Sequence, residues 1–485
     1  MSPSPLPQLP QHYIQQMEQL LGQEADAFLH SYDAQRAFGL RVNSVKWEHH
    51  AAARELTTQQ FQLRSVPWCE EGFYYDEHSR PGKHPYHAAG LYYIQEPSAM
   101  SAVALLDPQP GEFILDLAAA PGGKSTQIAG RMRGEGVLVA NEIHPQRAKV
   151  LAENVERMGI ANAIVTQADP HSLAAKFPLA FDRIMLDAPC SGEGMFRKDP
   201  SAIEEWSPLH VEACAARQWD IIQAAVAMLK AGGTIAYSTC TFNRKENEDI
   251  VEKWLAAYPE FQLVRTEQIW PHLAEGEGHF VAVFQKTSDG LEDVLEQHAV
   301  SNSIRASAKS KGRRSSSGHS ERGTSRTADV NNSFRQFEAW AGDHLPDFSL
   351  PPGTPLLFGE ELYWLPQGNA AASVFLDNGA ALDRLRVPRA GLHLAHMRKN
   401  RIEPAHALAM ACITGGQAAH TLQATADDTR IRAFLRGESI ALSSDSESVR
   451  TKGWMLVTVD GLPLGWGKAS DGMLKNHYPK GLRSL

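Results

Sequence analysis

Two cysteines stand in similar settings: Cys190 in FDRIMLDAPCSGEG and Cys240 in GGTIAYSTCTFNRKENE. A lone cysteine is usually a small buried hydrophobe, the reading given to Cys69, Cys214 and Cys412. Cys190 and Cys240 differ because each falls where a strand-like run gives way to a loop. A thiolate there can split one hard step into easier ones by covalent catalysis. One reaction that needs this is methylation of carbon 5 of a pyrimidine, a poor nucleophile. Thiolate addition to carbon 6 moves electron density onto carbon 5, which can then attack a methyl sulfonium. The carbon 5 proton must afterwards leave and the thiol be eliminated, and a second cysteine is well placed to help. Asp187, just before Cys190, can hold or protonate ring nitrogen 3 while charge develops. Exocyclic amino methylation typically uses an Asp/Asn-Pro-Pro-aromatic loop, which DAPCSG is not.

A methyl donor needs its own pocket. FILDLAAAPGGKSTQIAG reads as a strand, a small-residue loop and a helix, the geometry that lets a ligand approach backbone at a helix N-terminus. A triphosphate loop is one reading, since Gly123, Lys124 and Ser125 give a terminal GKS. That motif needs glycine where this chain has Ala118, and Asp116 would repel phosphates. S-adenosylmethionine is the other, because its cationic end tolerates a carboxylate. Glu142 ends the next strand in VLVANEI and can accept from both ribose hydroxyls. Asp169 ends the third in VTQAD, where it can accept from the adenine amino group. Acids at successive strand tips suit an adenosyl ligand; read separately, each acid also fits a helix or turn cap.

The elements that must position these residues lie between about 107 and 286. FILDL, VLVAN, AIVTQAD, FDRIMLD, GTIAYST and HFVAVFQK read as strands. QRAKVLAENVERMG and ARQWDIIQAAVAMLKAG carry apolar residues at helical spacing between them. Strands alternating with such helices predict an α/β, doubly wound, Rossmann-like sheet.

At this point the residues resemble a known family. DLAAAPGGKST, NEIHPQRAKVLAENVERMG, DRIMLDAPCSGEG and YSTCTFNRKENE are similar, in order, to the blocks of the Nop2/Sun-type RNA 5-methylcytosine methyltransferases. RVNSVK and LYYIQEPSAM are similar to the upstream blocks, so the resemblance spans about residues 10–290. It implies S-adenosylmethionine as cofactor and a cytosine of RNA as substrate. Chain length and the C-terminal portion look like a bacterial member acting on small-subunit (16S) ribosomal RNA, which implies RNA within the small ribosomal subunit as partner. The resemblance makes Cys240 the nucleophile that bonds carbon 6 and Cys190 the helper in release. With Asp187 and Lys124 these form the expected catalytic set. Ala118, Ala119, Ala120, Pro121, Gly122, Gly123, Lys124, Glu142, Asp169 and Asp187 are the expected cofactor contacts.

The remaining chain divides by composition. Residues 301–330 hold nine serines, seven Lys/Arg and two acids, too polar to bury a core, and read as linker. RAGLHLAHMRKNRIE and GWGKASDGMLKNHYPKGLRSL mix cations with aromatics, as RNA-binding surfaces do, and the module they close resembles a PUA domain. GWMLVTVDGLPLGWGK predicts a hairpin around Asp460-Gly461. The expected units are an α+β RNA-binding extension (1–105), the methyltransferase domain (106–288), a basic linker (289–331), an intermediate domain (332–388) and a β-rich PUA-like domain (389–485). Arg41, Arg197, Arg398, Lys399, Lys468 and Lys475 are the expected RNA contacts. A net charge of −9 means RNA binding must rest on local patches. Five cysteines without CxxC spacing predict no disulfide framework and no metal site. With no signal peptide and no long apolar run, a cytoplasmic protein that needs no membrane is expected, and a monomer.

Overall fold

The structure, a computed structural model, describes residues 8–287, 321–398, 401–442 and 452–483. Its centre is a sheet of β1 (Phe113–Asp116), β2 (Val137–Asn141), β3 (Ala163–Gln167), β4 (Phe181–Asp187), β5 (Leu229–Thr239), β6 (Phe261–Ile269) and β7 (His279–Lys286). The order is β6-β7-β5-β4-β1-β2-β3, with β1 to β5 parallel and β7 antiparallel between β5 and β6. Chain order reverses between β1 and β4, and a sheet of this kind takes its ligand in the crevice above that point. The doubly wound α/β class is therefore the one observed. Strands covered on both faces read as continuous apolar runs, and β2 is buried along its whole length. Alternate residues of β1 enter opposite layers, Phe113 and Leu115 one core and Ile114 the other. Helix Pro145–Arg157 covers one face through Ala148, Leu151 and Val155. Its first residue is proline, at a position where no N–H partner is needed.

Two strands of this sheet are not legible in the sequence. β6 is an edge strand, largely exposed, and FQLVRTEQI has no apolar period. β8 (Arg386–Ala390) arrives from far along the chain and pairs antiparallel with β3, Ala390 opposite Ile164, closing the other edge.

The N-terminal extension is α+β: strands Gly39–Val42, Arg64–Val66, Cys69–Tyr74 and Tyr92–Ile94 form an antiparallel sheet beside short helices. The terminal module is a five-stranded sheet, and its hairpin Gly453–Val459/Leu462–Ser470 turns at Asp460 and Gly461, with φ of 49° and 83°. These two units share one apolar core, in which Leu40, Phe61 and Tyr92 pack with Phe434, Met455 and Val457.

Two expectations about the C-terminal half change. Strands Leu392–Arg398 and Arg401–Pro404 hydrogen-bond into the sheet of Gly353–Phe358 and Glu361–Pro366, so no boundary falls at 388/389. The basic run there is a charge pattern, whereas pairing of backbone groups decides where a strand belongs. The linker ends early, because helix Glu321–His344 begins inside it. Phe334 of that helix stacks on Trp364 with ring centroids 5.0 Å apart, and an anchored helix propagates cooperatively. Residues 288–320 and Lys399 lie outside the described residues. No described helix is long and apolar enough to cross a membrane.

Candidate active site

The chain leaves β1 through a loop that is fixed from three sides. The Ala119 N–H donates to the Asn141 carbonyl at 2.8 Å, Arg147 donates to the Ala120 carbonyl at 2.7 Å, and Asn154 to the Pro121 carbonyl at 2.8 Å. Gly122 adopts φ of 115°, a left-handed value that favours glycine, and helix Gly123–Met132 follows. Arg41 braces this turn from the N-terminal sheet, donating to the Gly123 carbonyl at 3.2 Å and to Thr126 Oγ1 at 2.6 Å. It is only 1% exposed, which corrects its reading as an RNA contact. Its position on an interior strand of the N-terminal sheet buries it.

A cavity of about 320 Å³ opens between this loop and the ends of β4 and β5. Of the expected residues, Ala118, Ala119, Ala120, Pro121, Gly123, Lys124, Asp187 and Cys240 line it. Gly122 turns away, with its Cα side toward Leu151. Glu142 and Asp169 stand at the next two strand tips and outside this cavity. Each spends one oxygen on its own turn, accepting from the His144 N–H and the Ser172 N–H, both at 2.9 Å. Asp116 is buried beneath the loop, where Ser125 donates to its Oδ2 at 2.6 Å and Oδ1 has no partner. Burial pushes its carboxyl up to about 7.

The polar heart of the site is Asp187. Lys124 Nζ lies 2.8 Å from its Oδ2, Ser238 donates to its Oδ1 at 2.8 Å, and His279 Nε2 stands 3.8 Å from Oδ1. Burial works to raise the Asp187 carboxyl, but the Lys124 ammonium and the Ser238 hydroxyl hold it below the usual carboxylate range. Asp187 is thus an ionised acceptor. It can hold a protonated ring nitrogen or an amino group, but it has no proton to give at neutral pH. Burial drives the His279 imidazole down to about 3, with Lys124 adding to the effect, so that ring is neutral. Sequence reasoning missed His279 and Ser238; the register Asp187↔Ser238 exists only in the assembled sheet.

Cys190 and Cys240 meet above this group, Sγ to Sγ at 3.3 Å. Contact with Cys240 and burial hold the Cys190 thiol well above its usual range. The two loops that carry the sulfurs are tied by two buried carboxylates that the sequence did not mark. Glu193 accepts from Thr241 Oγ1 at 2.6 Å and from the N–H groups of Phe242 and Asn243 at 2.8 and 3.0 Å. Glu246 accepts from the Ser191 N–H at 3.0 Å, from the Ser191 hydroxyl, and from Gln218 at 2.7 Å. Each acid reaches across from its own loop to the other. Their only sequence signal is an acid close behind each cysteine.

The other expected RNA residues scatter. Arg197 is a second correction: its Nε donates to Glu277 at 2.7 Å inside a buried pair. Arg398 is exposed and 3.9 Å from Glu403. Lys468 and Lys475 face each other across adjacent strands, with Lys468 5.4 Å over the Trp454 ring. Trp466 and Tyr478, which the sequence placed among those cations, are core residues.

The sheet order, the loop after β1 and the module at the C-terminus define a Rossmann-like methyltransferase carrying a PUA domain. Residues 103–290 match the family model for 16S rRNA methyltransferase RsmB/F, and residues 9–97 that for the N-terminal domain of 16S rRNA methyltransferase RsmF. Residues 339–412 match the RsmF first C-terminal domain and residues 422–484 the RsmF PUA domain. The chain belongs to the ribosomal RNA small subunit methyltransferase F family. It is 32% identical over 479 residues to that methyltransferase of Shewanella amazonensis, covering 94% of each chain. It is 41% identical over 286 residues to that of Escherichia coli O157:H7, covering 54% of this chain and 60% of the relative. Among solved structures, a methyltransferase homolog protein from Pyrococcus horikoshii aligns with a TM-score of 0.51 and 28% identity, over 57% of this chain and 95% of that one. NSun6 from the same organism, solved with SFG, shares the fold at 22% identity and a TM-score of 0.52, over 58% of this chain and 99% of that one.

Proposed function

We propose that this protein methylates carbon 5 of a cytosine in small-subunit ribosomal RNA, with Cys240 as nucleophile, Cys190 as the residue that assists release, and S-adenosylmethionine as methyl donor. The observation that carries the reading is the 3.3 Å approach of the two sulfurs beside an ionised Asp187.

The residues fit the cofactor. The small side chains of Ala118 to Pro121 line the cavity and leave backbone accessible, and the ionised Asp187 in the same lining suits a cationic ligand rather than a phosphate. Glu142 and Asp169 at the neighbouring strand tips suit hydroxyl and amino donors. When bound, the cofactor supplies an electrophilic methyl group.

The chain's own groups do the rest. Cys240 lines the cavity, and as thiolate it adds to carbon 6, while the carbon 5–carbon 6 π electrons shift toward carbon 5. Ring nitrogen 3 takes a proton from water as carbon 6 is attacked and returns it on release, and Asp187, fixed by Lys124 and Ser238, accepts from that N–H and stabilises its charge. Carbon 5 takes the methyl group. Its proton then passes to water, the electrons re-form the carbon 5–carbon 6 double bond, and the carbon–sulfur bond breaks. Cys190, still protonated and 3.3 Å away, gives its proton to the departing Cys240 sulfur and regains one from solvent.

Tritiated S-adenosylmethionine and small ribosomal subunits test this. The label should be recovered as 5-methylcytidine after digestion to nucleosides. Recovery on another base or on ribose would overturn the reading.

A further inference from the structure

A second cleft, of about 610 Å³, adjoins the active cavity. We propose that it holds one unstacked base of the RNA, next in the strand to the target cytosine; the proposal rests on the reading that the cavity receives a cytosine of RNA.

Continuity is the first argument. The segment joining β6 to β7 lines the cleft from Pro271 to Gly276 and then, from Glu277 to His279, lines the active cavity. Neighbouring Cα atoms are about 3.8 Å apart, so the two spaces lie within the reach of one nucleotide step. The dividing wall is built, not incidental. Arg197 donates to Glu277 Oε2 at 2.7 Å and to the Gly276 carbonyl at 2.9 Å, which locks the segment in place.

The lining is the second argument. Phe38 and Tyr75 present half-buried rings with centroids 5.9 Å apart, and the Arg36 guanidinium lies 5.4 Å over Phe38. Rings and guanidinium planes of this kind take a splayed base by stacking. Charge points to a base rather than a phosphate. Arg36, Arg64 and Arg197 are balanced in the lining by Asp76, Glu77 and Glu275, so the cleft is not an anion trap. Arg64 and Glu275 are bonded to each other and Arg197 to the wall, which leaves Arg36 to donate to base acceptors and Asp76 and Glu77 to accept from exocyclic amino groups. An enzyme that takes its target base out of the stack also reads the flanking nucleotides.

A charge pair joins the two spaces: Arg36 lines the cleft, Glu277 lines the active cavity, and Arg36 Nε lies 3.6 Å from Glu277 Oε1.

The test uses the full chain and small-subunit ribosomal RNA. Phe38→Ala and Tyr75→Ala should each raise KM for RNA about tenfold or more, the loss of a base-stacking contact. Both should leave kcat and S-adenosylmethionine binding near the parent's. Phe38→Tyr should keep the parent KM, whereas Phe38→Leu, which fills space without an aromatic face, should not. In addition, 4-thiouridine placed beside the target should photocrosslink to a peptide holding Phe38 or Tyr75. Unchanged KM in the alanine variants with crosslinks elsewhere would overturn the cleft while leaving the cytosine reading intact. A parent protein that labels no cytosine overturns both.

Discussion

Lys124 and Asp187 come from different strands' ends, one in the helix after β1 and one at the tip of β4, yet their charged atoms lie 2.8 Å apart. The pair sits in the cavity wall, and the lysine is one of the groups that keep a buried carboxyl ionised. Lys124→Met leaves burial to raise Asp187. The folded value of Asp187 is below its unfolded one, so its contribution is present above the unfolded value and lost as pH falls through the folded one. In Lys124→Met the acidic limb of the rate–pH profile should move to higher pH, and kcat should fall about 10²-fold or more. A profile with an unmoved acidic limb would show that Lys124 does not set the state of Asp187.

The two sulfurs should behave differently. Cys240→Ala should remove turnover and leave no covalent RNA species. Cys190→Ala should add to carbon 6 and then stall, leaving a protein–RNA species that survives denaturing electrophoresis. Adding Cys240→Ala to that variant should abolish the species. The reverse pattern, with an adduct only in Cys240→Ala, would exchange the roles of the two cysteines.

Glu246 should matter to the folded state as well as to the site. Glu246→Ala leaves the Ser191 N–H, the Ser191 hydroxyl and the Gln218 amide without their acceptor, a loss of about 3 kcal/mol or more in urea unfolding. Burial raises the Glu246 carboxyl, so its stabilising, protonated form is lost as pH rises through the folded value. Glu246→Gln should therefore flatten the fall in stability that sets in above the ordinary carboxylate range. Identical pH slopes in parent and variant would refute this.

The shared core of the N-terminal extension and the terminal module predicts a long-range effect. Phe434→Ala should cost about 3–5 kcal/mol, and hydrogen exchange should quicken in strands Gly39–Val42 and Tyr92–Ile94, which pack on it. Tyr86→Phe removes one 2.8 Å hydrogen bond to Asp460 and should cost only about 1 kcal/mol. Quickened exchange confined to the terminal module in Phe434→Ala would show the two units to be uncoupled.

The sequence by itself determined the alternation of strands and helices from 107 to 286, because buried parallel strands must be apolar throughout and their helices must bury one stripe. It also marked Cys190, Cys240 and Asp187, because strand-to-loop transitions carry their own signature of small residues and acids, while Lys124 entered the catalytic set with the family resemblance. It could not show β6 or β8, whose places depend on which edge is left unpaired, nor the join of residues 392–404 to the sheet before them. It placed Arg41 and Arg197 at a surface, since a cation's burial depends on the carboxylate or carbonyl that meets it. Gln95 stands 54 positions from Arg41 and Glu277 stands 80 from Arg197. The same holds for Glu193 and Glu246, which look like solvated acids in sequence. Only the tertiary structure brings four or more donors around each, and that enclosure is what makes a buried carboxylate a brace rather than a surface charge.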